Sequence, residues 1–338
     1  MSIEIRENVP LTPLTSFKIG GPARFFTEVS SEEEILEAVN YAGENGLEIF
    51  VMAGGSNILV SDDGFSGLVI KIKNVTCEVQ DFSLTCEAGL SLSEAVSKAR
   101  ENSLSGLEWA AGIPGSVGGA VRGNVGAYGS EIKDSITSVK ALEIPDLLNK
   151  ITNSKLQIPN KFQNPKLKNL TNKESRFSYR SSIFKENKNL IVLSCVLKLQ
   201  KGEKGEIEEK MREVIRKRSE KIPKEPSPGS FFQNPETDNE ELIRKFEIDT
   251  GKKVTDHVSA YQYSGNKIKI PASWLIEEAG LKGKKMGGVM VSEKHANFVV
   301  NLGTGKAQDV IMLASLIKMK IRDEFGIQLK EEVQLVGF

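Results

Sequence analysis

Glycines recur at three-residue spacing, Gly112, Gly115 and Gly118, within Leu107-Glu108-Trp109-Ala110-Ala111-Gly112-Ile113-Pro114-Gly115-Ser116-Val117-Gly118-Gly119-Ala120, and the series continues through Gly123, Gly126 and Gly129. Such a run leaves backbone N–H groups unobstructed and lets the chain pass close to an oxygen-rich ligand, which is what holding a diphosphate requires. A turn packed for compactness would use the same residues, so this run alone does not separate the two readings. A second loop shifts the balance. The apolar stretch Glu48-Ile49-Phe50-Val51-Met52-Ala53 reads as a short buried strand that breaks into Gly54-Gly55-Ser56-Asn57 before Ile58-Leu59-Val60. A strand emptying into that loop offers successive amides and a hydroxyl at a sheet edge, where open α/β folds bind ligands. Two such loops suit a long ligand, with Gly54, Gly55, Ser56 and Asn57 on one side and Gly112, Ile113, Pro114, Gly115, Ser116, Gly118 and Gly119 on the other.

The commoner nucleotide motifs are missing. Gly303-Thr304-Gly305-Lys306 is followed by Ala307, which has no hydroxyl for a magnesium ion, and no G-x-G-x-x-G opens a helix.

Elements to position these loops alternate along the chain. Ser31-Glu32-Glu33-Glu34 reads as a capping box that starts a helix with Ile35, Leu36, Val39 and Ala42 on one face and Asn45-Gly46 as its stop. The strand 48–53 and the run Leu68–Ile72 complete a βαβ-like unit. Strands are expected at Thr76–Val79, Ser83–Glu87, Ile136–Ile144 and Leu190–Leu199, and a helix capped by Ser91 with Glu94 at its third position. Residues 145–175 are rich in Asn and Lys and lose periodicity, which predicts an exposed excursion. A charged helix at 206–219 leads to Pro223-Lys224-Glu225-Pro226-Ser227-Pro228, whose three prolines mark a stiff linker and a domain boundary. Beyond it lie a short helix near 239–247, a helix Ala272–Ala279, the apolar run Ala296–Leu302, an amphipathic helix Ala307–Phe325 and a terminal strand Glu331–Val336.

Composition bounds the function. With 338 residues, 39% hydrophobic and 27% charged, the chain can form two or three modest domains. Lys plus Arg and Asp plus Glu both number 45, so no global field draws in nucleic acid or an anionic membrane, and an anionic ligand must be held by local design. The stretch Met1–Asn8 lacks an apolar core of signal-peptide length and no segment approaches a membrane span, so the expected location is cytoplasmic. Cys77, Cys86 and Cys195 stand at no metal-ligand spacing, and with only His257 and His295 neither a disulfide framework, a zinc site nor a histidine cluster is expected.

The order of motifs resembles the UDP-N-acetylenolpyruvoylglucosamine reductase family almost end to end. The residues that carry it are Thr15-Ser16-Phe17-Lys18-Ile19-Gly20-Gly21-Pro22-Ala23, Gly54-Gly55-Ser56-Asn57, Gly112–Gly119, Gly126-Ala127-Tyr128-Gly129, Tyr179-Arg180-Ser181-Ser182-Ile183-Phe184, Gly229-Ser230-Phe231-Phe232-Gln233-Asn234-Pro235 and Trp274–Gly283. The resemblance implies an α+β protein. A two-part FAD-binding region of the vanillyl-alcohol-oxidase-like (PCMH-type) fold occupies residues 1–73 and then 74–225 with 326–338, and a smaller α/β substrate-binding domain occupies 226–325. It also implies NADPH as hydride donor and a small-molecule nucleotide-sugar substrate; a monomer is expected. The family's catalytic arginine, serine and glutamate fall on Arg180, Ser230 and Glu332, and its FAD diphosphate on the two glycine loops; read from the residues themselves, Tyr179, Asn234 and Lys217, with Arg218 and Lys221 close to the same proline-rich linker, are substrate-binding candidates. Between Tyr179 and Tyr261 there is no tyrosine, so the lid tyrosine of some members is not expected, although residues 236–271 resemble the segment that often accompanies it; Gln233 stands where a lysine is common.

The residue types suit the reduction of an enolpyruvyl ether, in which hydride added to the terminal carbon pushes negative charge onto the carboxylate and the carbon beside it. Arg180 offers a planar, permanently charged fork to that carboxylate. Ser230 would protonate the adjacent carbon, and Glu332, its pKa raised by burial, would hold developing charge or orient a proton relay. Each residue taken singly also reads as ordinary scaffold or surface. Two alternatives stay open: a flavin oxidase of the same fold, although neither loop carries the histidine or cysteine that tethers a flavin, so the FAD is expected to be non-covalent, and a non-catalytic nucleotide-sugar binding protein, which would purify colourless.

Overall fold

The computed structural model describes residues 3–144, 165–251 and 268–338. Its first sheet has the order Arg6–Pro10, Pro22–Val29, Phe65–Ile72, Ile49–Met52. The first pair is antiparallel and the other two are parallel. Parallel strands need a crossover, supplied by helix Glu32–Glu44, which buries Ile35, Ala38, Val39 and Ala42. Ser31 Oγ accepts the Glu34 N–H as the capping pattern requires, while the Glu34 carboxylate returns to the Ser30 N–H, one residue earlier than a capping box predicts. The strands Arg6–Pro10 and Pro22–Val29 were not among the sequence expectations.

A five-stranded antiparallel sheet follows, in the order Lys166–Thr171, Ile136–Glu143, Leu190–Lys198, Ser83–Glu87, Cys77–Gln80. Helix Leu92–Glu101 carries the expected capping box, Ser91 and Glu94 satisfying one another's backbone amides. The exposed excursion expected at 145–175 is corrected at its far end. Residues 145–164 lie outside the described residues, but Lys166–Thr171 is an edge strand in register with Ile136–Glu143. Its side chains are mostly exposed, so it is held by backbone pairing, and hydrophobic periodicity is silent there. The charged helix extends further than expected, Lys204–Lys221.

After the proline-rich segment come helices Glu240–Thr250, Ala272–Glu278 and Ala307–Phe325, and a three-stranded antiparallel sheet ending in Val299–Asn301. Trp274 meets Phe246 edge-on at 5.2 Å in their shared core. That core also takes in Phe17, Ile19 and Leu59 from the beginning of the chain. Asp62 accepts the N–H groups of Ala307 and Gln308 at 2.8 and 3.0 Å, a carboxylate against four unsatisfied amides at a helix start. Asn301 Nδ2 donates to the carbonyls of Phe17 and Lys18. The terminal strand is shorter than expected, Gln334–Val336, and lies parallel to Ile58–Val60. This last pairing brings Glu332 to the mouth of the Gly54–Asn57 loop. Among the described residues no helix is long and apolar enough to cross a membrane.

Candidate active site

The two glycine loops meet backbone to backbone. A Cβ on Gly54 would lie 3.1 Å from Gly115 Cα, and one on Gly115, whose φ is +118°, would lie 2.7 Å from Ser56 Oγ. Among the described residues, the N–H groups of Gly54, Gly55, Ser56 and Asn57, and of Gly115 and Ser116, donate no hydrogen bond within the chain. An unpaired amide needs water or a ligand to accept from it, and six of them together on two facing loops could cradle an anion. The rest of the second loop is spent on the fold. Val117 donates to Leu90 O and Gly118 to Ala88 O, while the Gly119 N–H is capped by Ser116 Oγ. Gly118 is glycine because a Cβ there would strike the Ala88 methyl at 2.7 Å. The Gly112 carbonyl accepts from Arg218 Nε at 3.2 Å. Both loops, except Gly112, line one cleft of about 1130 Å³ together with Arg122, Arg180, Lys185, Arg218, Ser230 and Glu332.

Three distant segments thus converge on the cleft. Ser178 and Ser181 exchange backbone hydrogen bonds of 3.0 and 3.2 Å around the two-residue turn Tyr179-Arg180. Arg180 sits in this turn at φ +53°, where glycine is the usual occupant. Its Nε lies 2.9 Å from Glu332 Oε1 and its Nη2 donates to Gly126 O at 3.0 Å. Ser230 follows Gly229, at φ +86°, and bridges to Phe298 on one side. On the other side Glu332 N–H donates to Phe231 O at 2.8 Å and Gln233 N–H to Lys330 O at 2.9 Å. Ser230 and Glu332 therefore ride on adjacent extended segments. Phe231 and Phe232 are buried and anchor this stretch, each contributing on the order of 1.5–3 kcal/mol by burial. Buried Asn297 fixes its register by giving Nδ2 to Phe232 O and taking the Phe232 N–H on Oδ1. Among the described residues the Ser230 hydroxyl makes no hydrogen bond.

Burial pushes the Glu332 carboxyl above its ordinary value near 4.5, and the nearby Arg180 and Lys185 charges oppose that rise. Burial lowers the Lys185 ammonium and the Arg122 guanidinium, which face the same space.

The three substrate candidates fare differently. Tyr179 and Asn234 are brought together, the Asn234 N–H donating to the Tyr179 hydroxyl at 3.2 Å. The Asn234 Oδ1 accepts from Ala272 N–H, and Lys269 Nζ lies 3.9 Å from the Tyr179 ring centroid. Lys217 is not brought to the cleft: it is exposed and pairs with Glu213 one helical turn away. The next residue, Arg218, faces inward instead, because adjacent helical positions are about 100° apart. Sequence reasoning passed over Arg122, Lys185 and Asn297. The signal for Lys185 was its place directly after the Arg180 motif.

Paired amide-rich loops along a charged cleft define a flavin-nucleotide-binding protein, and residues 23–146 match the family model "FAD binding domain". Residues 221–336 match "UDP-N-acetylenolpyruvoylglucosamine reductase, C-terminal domain". Proteins of that name from Solibacter usitatus and Carboxydothermus hydrogenoformans are 34% and 38% identical, covering 99% and 100% of this chain and 98% and 95% of their own. A crystal structure of the reductase from Thermus caldophilus superposes with a TM-score of 0.71 at 29% identity over 99% of both chains. The chain belongs to the UDP-N-acetylenolpyruvoylglucosamine reductase family, and its fold class is the one the motifs implied.

Proposed function

We propose that this protein reduces UDP-N-acetylglucosamine enolpyruvate to UDP-N-acetylmuramate, a step in making peptidoglycan precursors, with NADPH as donor and non-covalent FAD. The observation that carries the reading is the convergence of Arg180, Glu332 and Ser230, whose hydroxyl makes no hydrogen bond among the described residues, on the cleft that both amide-rich loops line. The loops fit FAD: a Cβ at Gly54 or Gly115 would crowd their close approach, and six of their N–H groups donate no hydrogen bond among the described residues. Gly54–Asn57 with Gly115 and Ser116 would hold the diphosphate. Bound there, FAD would supply the hydride-transfer chemistry, with NADPH as the donor.

The chain's own residues do the rest. Arg180 turns its guanidinium to the substrate carboxylate and so lowers the cost of the charge that develops there. Glu332 holds Arg180 in place by their ion pair and, when protonated, offers a hydrogen-bond donor to the same charge. Ser230 delivers the proton to the carbon beside the carboxylate; a hydroxyl is a weak acid, but an enediolate is a strong base and the proton has only to cross a hydrogen bond. Arg218, at the inward face of its helix, is the cation we place on a substrate phosphate; Tyr179 and Asn234, bonded to one another beside Arg180, are kept as substrate-binding candidates. We further propose a cytoplasmic monomer, with an FAD-binding region at 1–73 and at 74–225 with 326–338, and a substrate-binding domain at 226–325.

The test is the visible spectrum of the purified protein, followed by NADPH oxidation that depends on the enolpyruvyl nucleotide. A yellow protein that releases intact FAD on acid treatment and turns over is expected. A folded, colourless preparation that takes up no added FAD refutes the reading.

A further inference from the structure

The turn that carries Arg180 is gripped at both ends. Asn124, fully buried and itself at φ +42°, donates Nδ2 to Ser178 O at 2.8 Å. At the other end Lys185 Nζ donates to the Arg180 carbonyl at 2.8 Å. Lys185 sits on the one-turn helix Ile183–Glu186, which is tied down by buried Phe184 and by Ser182 Oγ donating to Arg122 O at 2.7 Å. Its ammonium reaches back five residues, half-buried, into the wall of the cleft. Among the described residues Lys185 makes no ion pair within 4.0 Å, although its charge and that of the Glu332 carboxylate attract one another. A cation in that setting loses hydration, and a lysine serving only as a surface charge would snorkel outward. The contact it keeps is with the carbonyl of the one residue in the turn that holds a left-handed conformation against its own Cβ. Without that contact the turn has a lower-energy route, Arg180 moving to negative φ, which swings the guanidinium away from Glu332 Oε1 and Gly126 O.

We propose that Lys185 is a positioning residue for the reductive chemistry: by donating to the Arg180 carbonyl it locks the left-handed turn and so aims the Arg180 guanidinium at Glu332 and the substrate carboxylate. The proposal rests on the reading of Arg180 as the carboxylate-binding catalytic group. Lys185 touches the backbone of that group, and its effect on turnover runs through it.

The test compares Lys185→Met, which keeps the length and removes the donor, with Lys185→Arg, which restores one, in the FAD-loaded full chain. Stopped-flow separates flavin bleaching by NADPH from recolouring by the enolpyruvyl nucleotide. Loss of a charge-assisted hydrogen bond predicts that Lys185→Met slows recolouring by about 10- to 100-fold, with bleaching and FAD content near wild type. Lys185→Arg should recover most of the rate. Combining Lys185→Met with Arg180→Ala should add little to Arg180→Ala alone, because both act on one group. Wild-type recolouring in Lys185→Met, or full additivity in the double variant, overturns the proposal. Loss of FAD or of folding from Lys185→Met and Lys185→Arg alike would make Lys185 a structural residue and overturn it too. If Arg180→Ala itself recolours at the wild-type rate, the failure lies in the assignment of Arg180.

Discussion

Replacing Gly115 by alanine tests the anion cradle at its tightest point. Gly115 adopts φ +118° and stands between Gly54 and Ser56, and a Cβ there would meet Ser56 Oγ at 2.7 Å. The contact is the lesser problem, since the Ser56 hydroxyl can rotate away at the cost of a 3.4 Å hydrogen bond to Pro114 O. The backbone cannot escape so easily: a side chain in that conformation costs on the order of 1–3 kcal/mol. If the empty loop relaxes to negative φ, the cost is met when FAD binds, and affinity falls by roughly 5- to 150-fold. If neighbouring contacts forbid relaxation, the same free energy shows as lost stability. Titrating the apoprotein with FAD and following thermal unfolding of the same sample captures both routes, whose costs should sum to that range. Gly205→Ala is the control: in the first turn of Lys204–Lys221, with open space around its Cβ, it should leave FAD binding alone and stabilise by up to about 1 kcal/mol. Wild-type affinity together with wild-type stability in Gly115→Ala would show that the loop does not hold the conformation described, and the cradle would have to be sought elsewhere.

Arg180→Lys keeps the charge but cannot span Glu332 Oε1 and Gly126 O together, so steady-state turnover should fall by roughly 10- to 150-fold with FAD affinity little changed; unaltered turnover would move Arg180 out of the reaction. Ser230→Ala should leave flavin bleaching by NADPH nearly intact and slow recolouring by ~10²–10⁴-fold, the usual worth of a positioned general acid. Prompt recolouring in that variant would name another acid, and in deuterated solvent the wild-type product should carry deuterium beside the carboxylate. Burial raises the folded Glu332 carboxyl above its unfolded value near 4.5, so the stability it contributes is present below that value and is lost as pH rises through the folded pKa. Chemical denaturation across that window should find wild type losing stability relative to Glu332→Gln as pH increases, and a flat or opposite difference would mean that burial does not raise the carboxyl's pKa.

Local chemistry was legible in the sequence wherever it depends on residue type and near spacing. Helix starts at Ser31 and Ser91, the strand that empties into Gly54–Asn57 and the glycine series through Gly119 follow from caps, periodicity and the absence of side chains, which are properties of a few consecutive residues. The motif order carried the family as well. Edge strands left no such trace. Lys166–Thr171 is exposed apart from Leu170, so its identity resides mainly in hydrogen bonds to Ile136–Glu143. The division of labour within the glycine run was decided by packing alone, because only the approach of Ala88 and Leu90 consumes the amides of Gly118 and Val117 and leaves those of Gly115 and Ser116 open. Adjacent positions on one helix were separated in the same way, Arg218 turned to the cleft and Lys217 to solvent. Arg180 and Glu332 are 152 residues apart in the chain, and nothing in either neighbourhood announces the other. Their ion pair exists because the terminal strand Gln334–Val336 returns beside Ile58–Val60 while Asn124 and Lys185 hold the Arg180 turn against it. Contact between residues so distant in sequence is a property of how sheets and cores close, and it is there that the charge and proton affinity of Glu332 are set.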